Sequence, residues 1–257
     1  MARPVTLVTG ASAGLGVEFA RQCAARGDEL VLVARRRERL EALAKAIGGK
    51  AHVIAADLSR DGAASSLIAE VEAEGLTVST LINNAGFGLA GRFATLPLDR
   101  QREMIDLNVR TLTELSHFVL PAMRERGAGG ILNVASTAAF QAGPKMAVYF
   151  ATKAYVLSFT EALHQEWSDR GIKVSALCPG PVPTEFQARA SMELPSAAKM
   201  IELPPDRVAQ IGYDGLMRGQ RVVVAGLGNK LAVSFMHFTP HALLLRAVDQ
   251  RTGAANG

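Results

Sequence analysis

The sequence alternates short runs of apolar, often β-branched residues with longer stretches of helical character. The apolar runs are Val5–Thr9, Leu30–Ala34, His52–Ala56, Thr80–Ile82, Ile131–Ala135, Val174–Cys178 and Val222–Ala225. Continuous runs of this kind suit strands that are buried on both faces, as in a parallel sheet. The helical stretches are Gly16–Arg26, Glu38–Ile47, Ala64–Glu74, Arg100–Arg126, Val148–Arg170 and Asp206–Met217. The alternation predicts an α/β fold, a doubly wound parallel sheet of about seven strands with helices on both faces.

One domain is expected over residues 1–257, because no Ser/Pro-rich linker and no internal repeat divides the chain. The stretch 185–205, which contains Pro195, Pro204 and Pro205, interrupts the regular pattern. It follows the sixth strand at the edge where such sheets bind ligands, so we predict a loop-like substrate lid. Its apolar side chains either line a substrate pocket or pack within the lid; they are Phe186, Met192, Leu194 and Met200.

A C-terminal extension, residues 226–257, remains apolar over Leu227–Phe238 and Leu243–Val248. We expect it to pack against the core or a partner subunit, in preference to contacting a membrane surface or a lipid substrate. No uninterrupted apolar run reaches transmembrane length. The chain enters a strand pattern at Val5, which leaves no room for a signal peptide and indicates a cytoplasmic protein.

The charge pattern argues against a nucleic-acid partner. The formal net charge is +4, and the densest basic run is Arg35-Arg36-Arg37 with Arg39 just beyond it. Aromatic residues do not alternate with these charges, as a stacking platform for single strands would require. The two cysteines and five histidines lack metal-binding spacing, so no metal site is predicted and a reducing compartment is expected.

The first predicted strand runs directly into a glycine-rich turn, Gly10-x-x-x-Gly14-x-Gly16, and a helix follows. Glycines are needed where the backbone approaches a pyrophosphate and where a helix packs closely on a strand. The N-terminus of that helix presents free N–H groups and the positive end of its dipole. This context predicts a dinucleotide site of the Rossmann-like kind.

The end of the second predicted strand indicates which dinucleotide is bound. An NAD site usually carries Asp or Glu there, to accept hydrogen bonds from the ribose 2′-hydroxyl. This chain has Arg35, whose guanidinium suits a 2′-phosphate, and Ser12 offers a further donor. NADP(H) is therefore preferred. Arg36 and Arg37 lie either in the phosphate pocket or in solvent, and solvent exposure is favoured for Arg37. Asp57, after the third strand, either accepts from the adenine amino group or caps the following helix.

Tyr149 and Lys153 are four residues apart in a helical stretch, so their side chains lie on one face. An ammonium beside a phenol favours the phenolate, as does an oxidised nicotinamide, and brings the phenol toward a useful acid/base range. Ser136 ends the fifth predicted strand, where its hydroxyl can hydrogen-bond a substrate oxygen. Asn108 lies unfavourably inside Arg100–Arg126, and we interpret it as the anchor of a water leading to Lys153.

Together these motifs resemble the short-chain dehydrogenase/reductase family, in a carbonyl-reductase-like branch similar to 17β-hydroxysteroid and 3-ketoacyl reductases. The resemblance spans Thr9 to Thr184 and implies a catalytic tetrad of Asn108, Ser136, Tyr149 and Lys153. It implies small-molecule carbonyl or alcohol substrates and a homodimer or homotetramer formed through the Asn108 and Tyr149 helices. The implied cofactor-binding residues are Gly10, Ser12, Gly14, Leu15, Gly16, Arg35, Asp57, Leu58, Asn84, Ala85, Gly86, Tyr149, Lys153, Pro179, Gly180, Val182 and Thr184.

The sequence thus predicts an NADP(H)-dependent oxidoreductase acting on a ketone or secondary alcohol, with Tyr149 as general acid/base. Two alternatives on the same fold remain open. One is a catalytically idle NADP-binding sensor, and the other is an epimerase or dehydratase that uses bound cofactor without consuming it.

Overall fold

A parallel seven-stranded sheet organises residues 2–190 and 200–251, the part of the chain that the computed structural model describes. Its strands are β1 (Arg3–Thr9), β2 (Leu30–Ala34), β3 (Ala51–Ala55), β4 (Leu76–Asn83), β5 (Gly129–Val134), β6 (Ile172–Cys178) and β7 (Val222–Val224). Their order is β3-β2-β1-β4-β5-β6-β7, and each neighbouring pair is parallel. The order reverses between β1 and β4, which is where doubly wound sheets bind ligands. The predicted fold class is confirmed.

Helices cover both faces of this sheet. They are α1 (Leu15–Ala25), α2 (Arg37–Ile47), α3 (Ala63–Ala73), α4 (Leu98–Ile105), α5 (Leu112–Arg126), α6 (Ala147–Trp167), α7 (Glu185–Arg189), α8 (Pro205–Met217), α9 (Leu227–Phe238) and α10 (His241–Arg251). A π-helical segment, Asp106–Thr111, separates α4 from α5 inside the stretch that the sequence predicts as one helix. None of the helices in the described residues is long and apolar enough to cross a membrane.

Neighbouring residues of the central strands pack into two different hydrophobic cores, one on each face of the sheet. On β1, Leu7 packs with α3 and α5, whereas Val8 packs with α1, α2 and α8. On β2, Val31 and Val33 face the first core, while Leu30 and Leu32 face the second. Because successive side chains of a strand point to opposite faces, a strand covered on both sides must be apolar throughout. The predicted strands are recognisable in the sequence for this reason.

The predicted lid, residues 185–205, is only partly loop-like, because it begins with the short helix α7. Phe186 packs beside Tyr149, as a pocket residue would, whereas Met200 is 87% exposed. The predictions for Met192, Leu194 and Pro195 fall on residues 191–199, which lie outside the described residues.

The C-terminal extension forms α9 and α10, and each packs inward through a buried valine, Val233 and Val248. Val248 joins the cluster that contains Tyr149 and Phe150, so packing against the core is confirmed for this part of the extension. The outward side of α9 is apolar and exposed, through Leu227, Leu231, Phe235 and Phe238.

Candidate active site

One cavity of about 720 Å³ opens at the carboxyl edge of the sheet and joins most of the predicted site residues. At one end it is bounded by the glycine-rich turn and the ends of β2 and β3, and at the other by α9 and α10. Its volume falls in the range of small-molecule and cofactor sites. Of the predicted residues, Gly16 and Asn108 act from behind the cavity wall, as described below.

The glycine-rich turn has the backbone that a pyrophosphate cradle requires. Gly10 and Gly14 have φ angles of 69° and 55°, in the left-handed region that favours glycine. A methyl group added at Gly16 would lie 2.3 Å from the main-chain oxygen of Gly10, so Gly16 must lack a side chain for α1 to pack on the turn. The turn therefore brings bare backbone and the N-terminus of α1 to the cavity, which fits the phosphates of a dinucleotide.

The two asparagines at the end of β4, Asn83 and Asn84, have different tasks, which the sequence leaves unresolved. Asn83 is buried and donates to Oδ1 of Asn133 on β5 at 2.9 Å, so it ties neighbouring strands together. Asn84 lines the cavity and donates to the main-chain oxygen of Thr9 at 2.9 Å. Asn84 thereby fixes the glycine-rich turn relative to the end of β4, beside Ala85 and Gly86.

Arg36 contacts the glycine-rich turn more closely than the predicted Arg35. Arg36 is the residue before α2, and its guanidinium donates to Oγ and the main-chain oxygen of Ser12, both at 3.1 Å. Arg35 also lines the cavity, but it pairs with Glu103 of α4 at 3.3 Å. Of the two positions considered for Arg36, the structure shows the one beside the glycine-rich turn. The solvent exposure favoured for Arg37 agrees with a side chain 58% exposed.

Asp57 and Leu58 line the cavity beyond the end of β3. The Asp57 carboxylate accepts from the main-chain N–H and the hydroxyl of Ser59, at 3.2 and 2.7 Å. Burial opposes the charge, but these hydrogen bonds lower the pKa of Asp57, which stays ionised. Asp57 stabilises its own turn and is not the cap of α3, which begins at Ala63.

Tyr149, Ser136 and Lys153 meet at the middle of the cavity. Tyr149 and Lys153 lie on α6, and their residues are only 8% and 6% exposed. Ser136 follows β5 at a position where its hydroxyl acts on the pKa of Tyr149, and its Oγ accepts from the main-chain N–H of Ala138 at 3.1 Å. Ser136 thus caps a short 3₁₀ turn and also lies near the phenol.

Burial governs the protonation of Tyr149 and Lys153 in this structure. It raises the pKa of Tyr149 to about 12, against a smaller lowering by the nearby hydroxyl of Ser136. It lowers the pKa of Lys153 to about 8, and the ammonium donates to the main-chain oxygen of Val134 at 2.7 Å. The expected lowering of the phenol pKa by Lys153 is therefore absent from the described structure, where loss of water sets the shift and Nζ of Lys153 lies 5.9 Å from the ring centre.

Asn108 lies in the π-helical segment between α4 and α5 and is buried. Its Nδ2 donates to the main-chain oxygen of Phe87 at 3.0 Å and to Oγ1 of Thr152 at 3.1 Å, and its Oδ1 accepts from the N–H of Phe87 at 3.1 Å. A methyl group at Gly86 would lie 2.9 Å from this Oδ1 and 3.6 Å from Nζ of Lys153. Glycine thus preserves a space between Asn108 and Lys153, and the water proposed there remains a prediction.

The segment after β6 lines the same cavity with Pro179, Gly180, Val182 and Thr184. Thr184 faces the glycine-rich turn, since a methyl group at Gly14 would lie 3.2 Å from its Cβ. Gly180 packs against the buried amide of Asn229 on α9, which donates to the main-chain oxygen of Ala225 at 2.8 Å. Asn229 was not predicted, and its position in an apolar helical stretch was the only signal available.

Beyond Tyr149 the cavity is mostly apolar. This end, here called the apolar end, is lined by Met146, Phe150, Phe186, Met236, Leu243, Leu244 and Val248. The charged residues among the described lining are Arg35, Arg36, Asp57, Lys153 and Glu185, none of which belongs to α9 or α10. Gln141 adds a buried amide oxygen that has no hydrogen-bond partner within the described residues. A substrate contact of this extension is the alternative that the sequence ranks lower, because an apolar helix gives no sign of which face meets a cavity.

Comparisons with known proteins agree with this geometry. The family model for short chain dehydrogenase matches residues 4–194. Ketoacyl reductase HetN from Nostoc sp. is 37% identical over 177 residues, which are 68% of this chain and 62% of that relative, so the match spans less than two thirds of its length. A short-chain dehydrogenase from Sphingobium yanoikuyae in complex with NADPH is 31% identical, with a TM-score of 0.82 over 98% of both chains. A structure of a 7β-hydroxysteroid dehydrogenase has a TM-score of 0.86 and 27% identity over 96% of both chains.

Proposed function

The chain belongs to the short-chain dehydrogenase family, and from that premise we propose that it transfers a hydride between NADP(H) and a ketone or secondary alcohol. The observation that carries the proposal is the single cavity that joins the glycine-rich turn to the Tyr149 hydroxyl. A glycine-rich turn and a buried phenol within one continuous cavity support hydride transfer coupled to proton transfer.

When bound, NADP(H) supplies or accepts the hydride. The chain supplies the proton: with its raised pKa, Tyr149 holds a proton at neutral pH and would donate it to a carbonyl oxygen during reduction. The Ser136 hydroxyl, beside the phenol, would hydrogen-bond the same oxygen as negative charge develops on it. Lys153 donates to the main-chain oxygen of Val134; it would keep a positive charge near the phenol and hold the bound ribose. Asn108 would shape the wall of the pocket beside Lys153.

The preference for NADP(H) rests on the charges at the end of β2. No acidic residue follows that strand, and Arg35 and Arg36 line the cavity beside Ser12. A guanidinium offers paired donors that match a phosphate, whereas a ribose 2′-hydroxyl would be read by a carboxylate. The similarity to a dehydrogenase solved with NADPH supports this preference.

The apolar end favours a carbonyl compound with a bulky apolar body. The side chains of α9 and α10 in the cavity wall offer burial to such a body and no charge to pair with an ionic group. Named relatives of this chain act on substrates of that kind, a ketoacyl group and a hydroxysteroid.

Absorbance of NADPH at its nicotinamide band tests the proposal, with a panel of bulky and small, charged and uncharged ketones. We expect NADPH to be consumed in equal amount to the alcohol formed, fastest with the bulky uncharged ketones. Product formed without net NADPH consumption would favour the epimerase or dehydratase alternative. NADPH binding without conversion of any ketone or of the matching alcohols would favour the sensor.

A further inference from the structure

Glu185, the first residue of α7, places a carboxylate on the arginines at the dinucleotide end of the cavity. Its Oε2 lies 3.1 Å from Nη1 of Arg36, and its Oε1 pairs with Nη1 of Arg39. These pairs join the lid segment to the start of α2. Glu185 is 149 residues from Arg36 and 146 residues from Arg39 in the chain. Arg36 is the same side chain that donates to Ser12 in the glycine-rich turn.

The charge of Glu185 is secure over the physiological range. Hydrogen bonds from Arg39, and then from Arg36, hold the pKa of this carboxyl at about 2, against the opposing effect of burial. A fixed anion therefore lies on Nη1 of Arg36, a residue of the cavity wall. A bound phosphate would accept hydrogen bonds from the same guanidinium. The phosphate and the Glu185 carboxylate cannot both occupy it without strong electrostatic repulsion.

We infer that Glu185 is a cofactor-specificity residue that competes with the 2′-phosphate of NADP(H) for Arg36 and Arg39. The inference rests on the proposed use of NADP(H). Binding of the phosphorylated cofactor must open the pairs between Glu185 and the arginines, whereas binding of NAD(H), which carries no 2′-phosphate, leaves them closed. The carboxylate therefore reduces the preference for NADP(H) below the level that the arginines alone would give.

The position of Glu185 also links this exchange to the substrate side of the cavity. Its neighbour Thr184 packs on Gly14 of the glycine-rich turn, and its other neighbour Phe186 lies 5.4 Å, ring centre to ring centre, from Tyr149. When the Glu185 pairs open, the start of α7 loses its ion pairs with the arginines. This segment lies between Thr184, which contacts the glycine-rich turn, and Phe186, which contacts Tyr149.

Equilibrium binding of NADPH and NADH to Glu185→Gln and to the wild-type protein tests the inference without turnover. Removing two exposed charge pairs that binding must break is expected to tighten NADPH binding by about three- to tenfold, from the modest strength of such pairs. NADH affinity is expected to stay within about twofold. Adenosine 2′-monophosphate should show the same gain as NADPH, and adenosine 5′-monophosphate should show none.

Glu41→Gln is the matched control, because Glu41 pairs with Arg37 on the exposed side of α2 and its loss removes the same charge. It should leave both affinities unchanged. If Glu185→Gln binds NADPH no more tightly than wild type, or gains equally for NADH, the inference about Glu185 is overturned. The proposed use of NADP(H) is unaffected by that result as long as the wild-type protein prefers NADPH. A wild-type protein that binds NADH in preference to NADPH would instead overturn the cofactor assignment, and the inference with it.

Discussion

Tyr149 and Lys153 are both almost fully buried, and burial acts on their protons in opposite directions. A buried phenol keeps its proton, because the phenolate loses the solvation that stabilises it, and a buried ammonium releases its proton for the same reason. Tyr149 is therefore ready to donate a proton, while Lys153 has a pKa of about 8 and changes charge near physiological pH. At the scale of single residues, Tyr149 therefore provides the proton for catalysis, and the titration of Lys153 makes the stability of the fold depend on pH.

Lys153 should make the stability of the cofactor-free protein rise with pH. Its pKa falls from an ordinary 10.5 to about 8 on folding, so between these values the unfolded chain holds a proton that the folded chain has released. The free energy of unfolding then increases by up to about 1.4 kcal/mol per pH unit. We expect this increase in the wild-type protein relative to Lys153→Met, measured by urea unfolding from about pH 8 to about pH 10.

The comparison with Lys153→Met is needed because Cys23 and Cys178 act in the opposite direction. Burial raises the pKa of both thiols, so their unfolded forms lose protons first and stability falls as pH rises. Both proteins carry the two cysteines, so their difference removes the titration of Cys23 and reports Lys153 together with its electrostatic coupling to Cys178. A difference that stays flat over this range would show that Lys153 keeps its proton on folding.

At the scale of secondary-structure elements, the contact between the glycine-rich turn and α1 decides whether the cradle can form. Gly16→Ala would place a methyl group 2.3 Å from the main-chain oxygen of Gly10, so the turn must move. We expect a stability loss of about 1–3 kcal/mol, typical of overpacking, and NADPH binding weakened by more than about tenfold. Unfolding in urea and NADPH titration measure the two effects.

Gly130→Ala serves as the control for this variant. Its methyl group would lie 3.3 Å from the side chain of Leu216 on α8 and 3.7 Å from that of Thr80 on β4. Neither of these residues lines the cavity. Gly130→Ala should therefore leave NADPH affinity unchanged even if stability falls. If Gly16→Ala binds NADPH as tightly as wild type, the close packing of the turn is not what shapes the cradle.

Local residue patterns were enough to predict the elements of the sheet and the residues that carry backbone-dependent tasks. Strands buried on both faces are uniformly apolar, and glycines mark the turn where a backbone must be bare. What the patterns leave open is which way a side chain turns. Arg35 and Arg36 are adjacent in the sequence, and only the entry into α2 shows that Arg36 points back to Ser12.

The interruption of Arg100–Arg126 was also beyond local patterns. A π-helical turn uses the same residue types as an α-helix, and the one clue was the unfavourable Asn108. The structure explains that residue through its contacts with Phe87 and Thr152. The lining from α9 and α10 depends on long-range packing, which residue spacing does not encode.

At the scale of the whole molecule, exposed aromatic residues on α5 and α6 fit the proposed assembly. Phe118 and Tyr155 are 39% and 40% exposed, and Thr113 and Tyr155 hydrogen-bond across the two helices at 3.0 Å. We expect the wild-type protein to sediment as a dimer or tetramer, and Tyr155→Lys to shift it toward the monomer, since a charge in an apolar interface is costly. Sedimentation velocity gives the masses.

Leu231→Lys is the control for that assembly, because Leu231 lies on the exposed apolar side of α9. It should leave the sedimenting mass unchanged. If Leu231→Lys dissociates the protein and Tyr155→Lys does not, the C-terminal extension forms the interface and the assignment to α5 and α6 is wrong.

The role of Tyr149 is the central claim, and the rate of ketone reduction by Tyr149→Phe tests it most directly. Tyr213→Phe is a matched control, since Tyr213 is another buried tyrosine and its ring contacts Arg26 instead of the cavity. We predict that Tyr149→Phe lowers kcat by at least about a hundredfold, the usual contribution of a general acid, with NADPH affinity within about twofold of wild type. A Tyr149→Phe enzyme that binds NADPH normally and reduces the ketone at the rate of Tyr213→Phe would contradict the account.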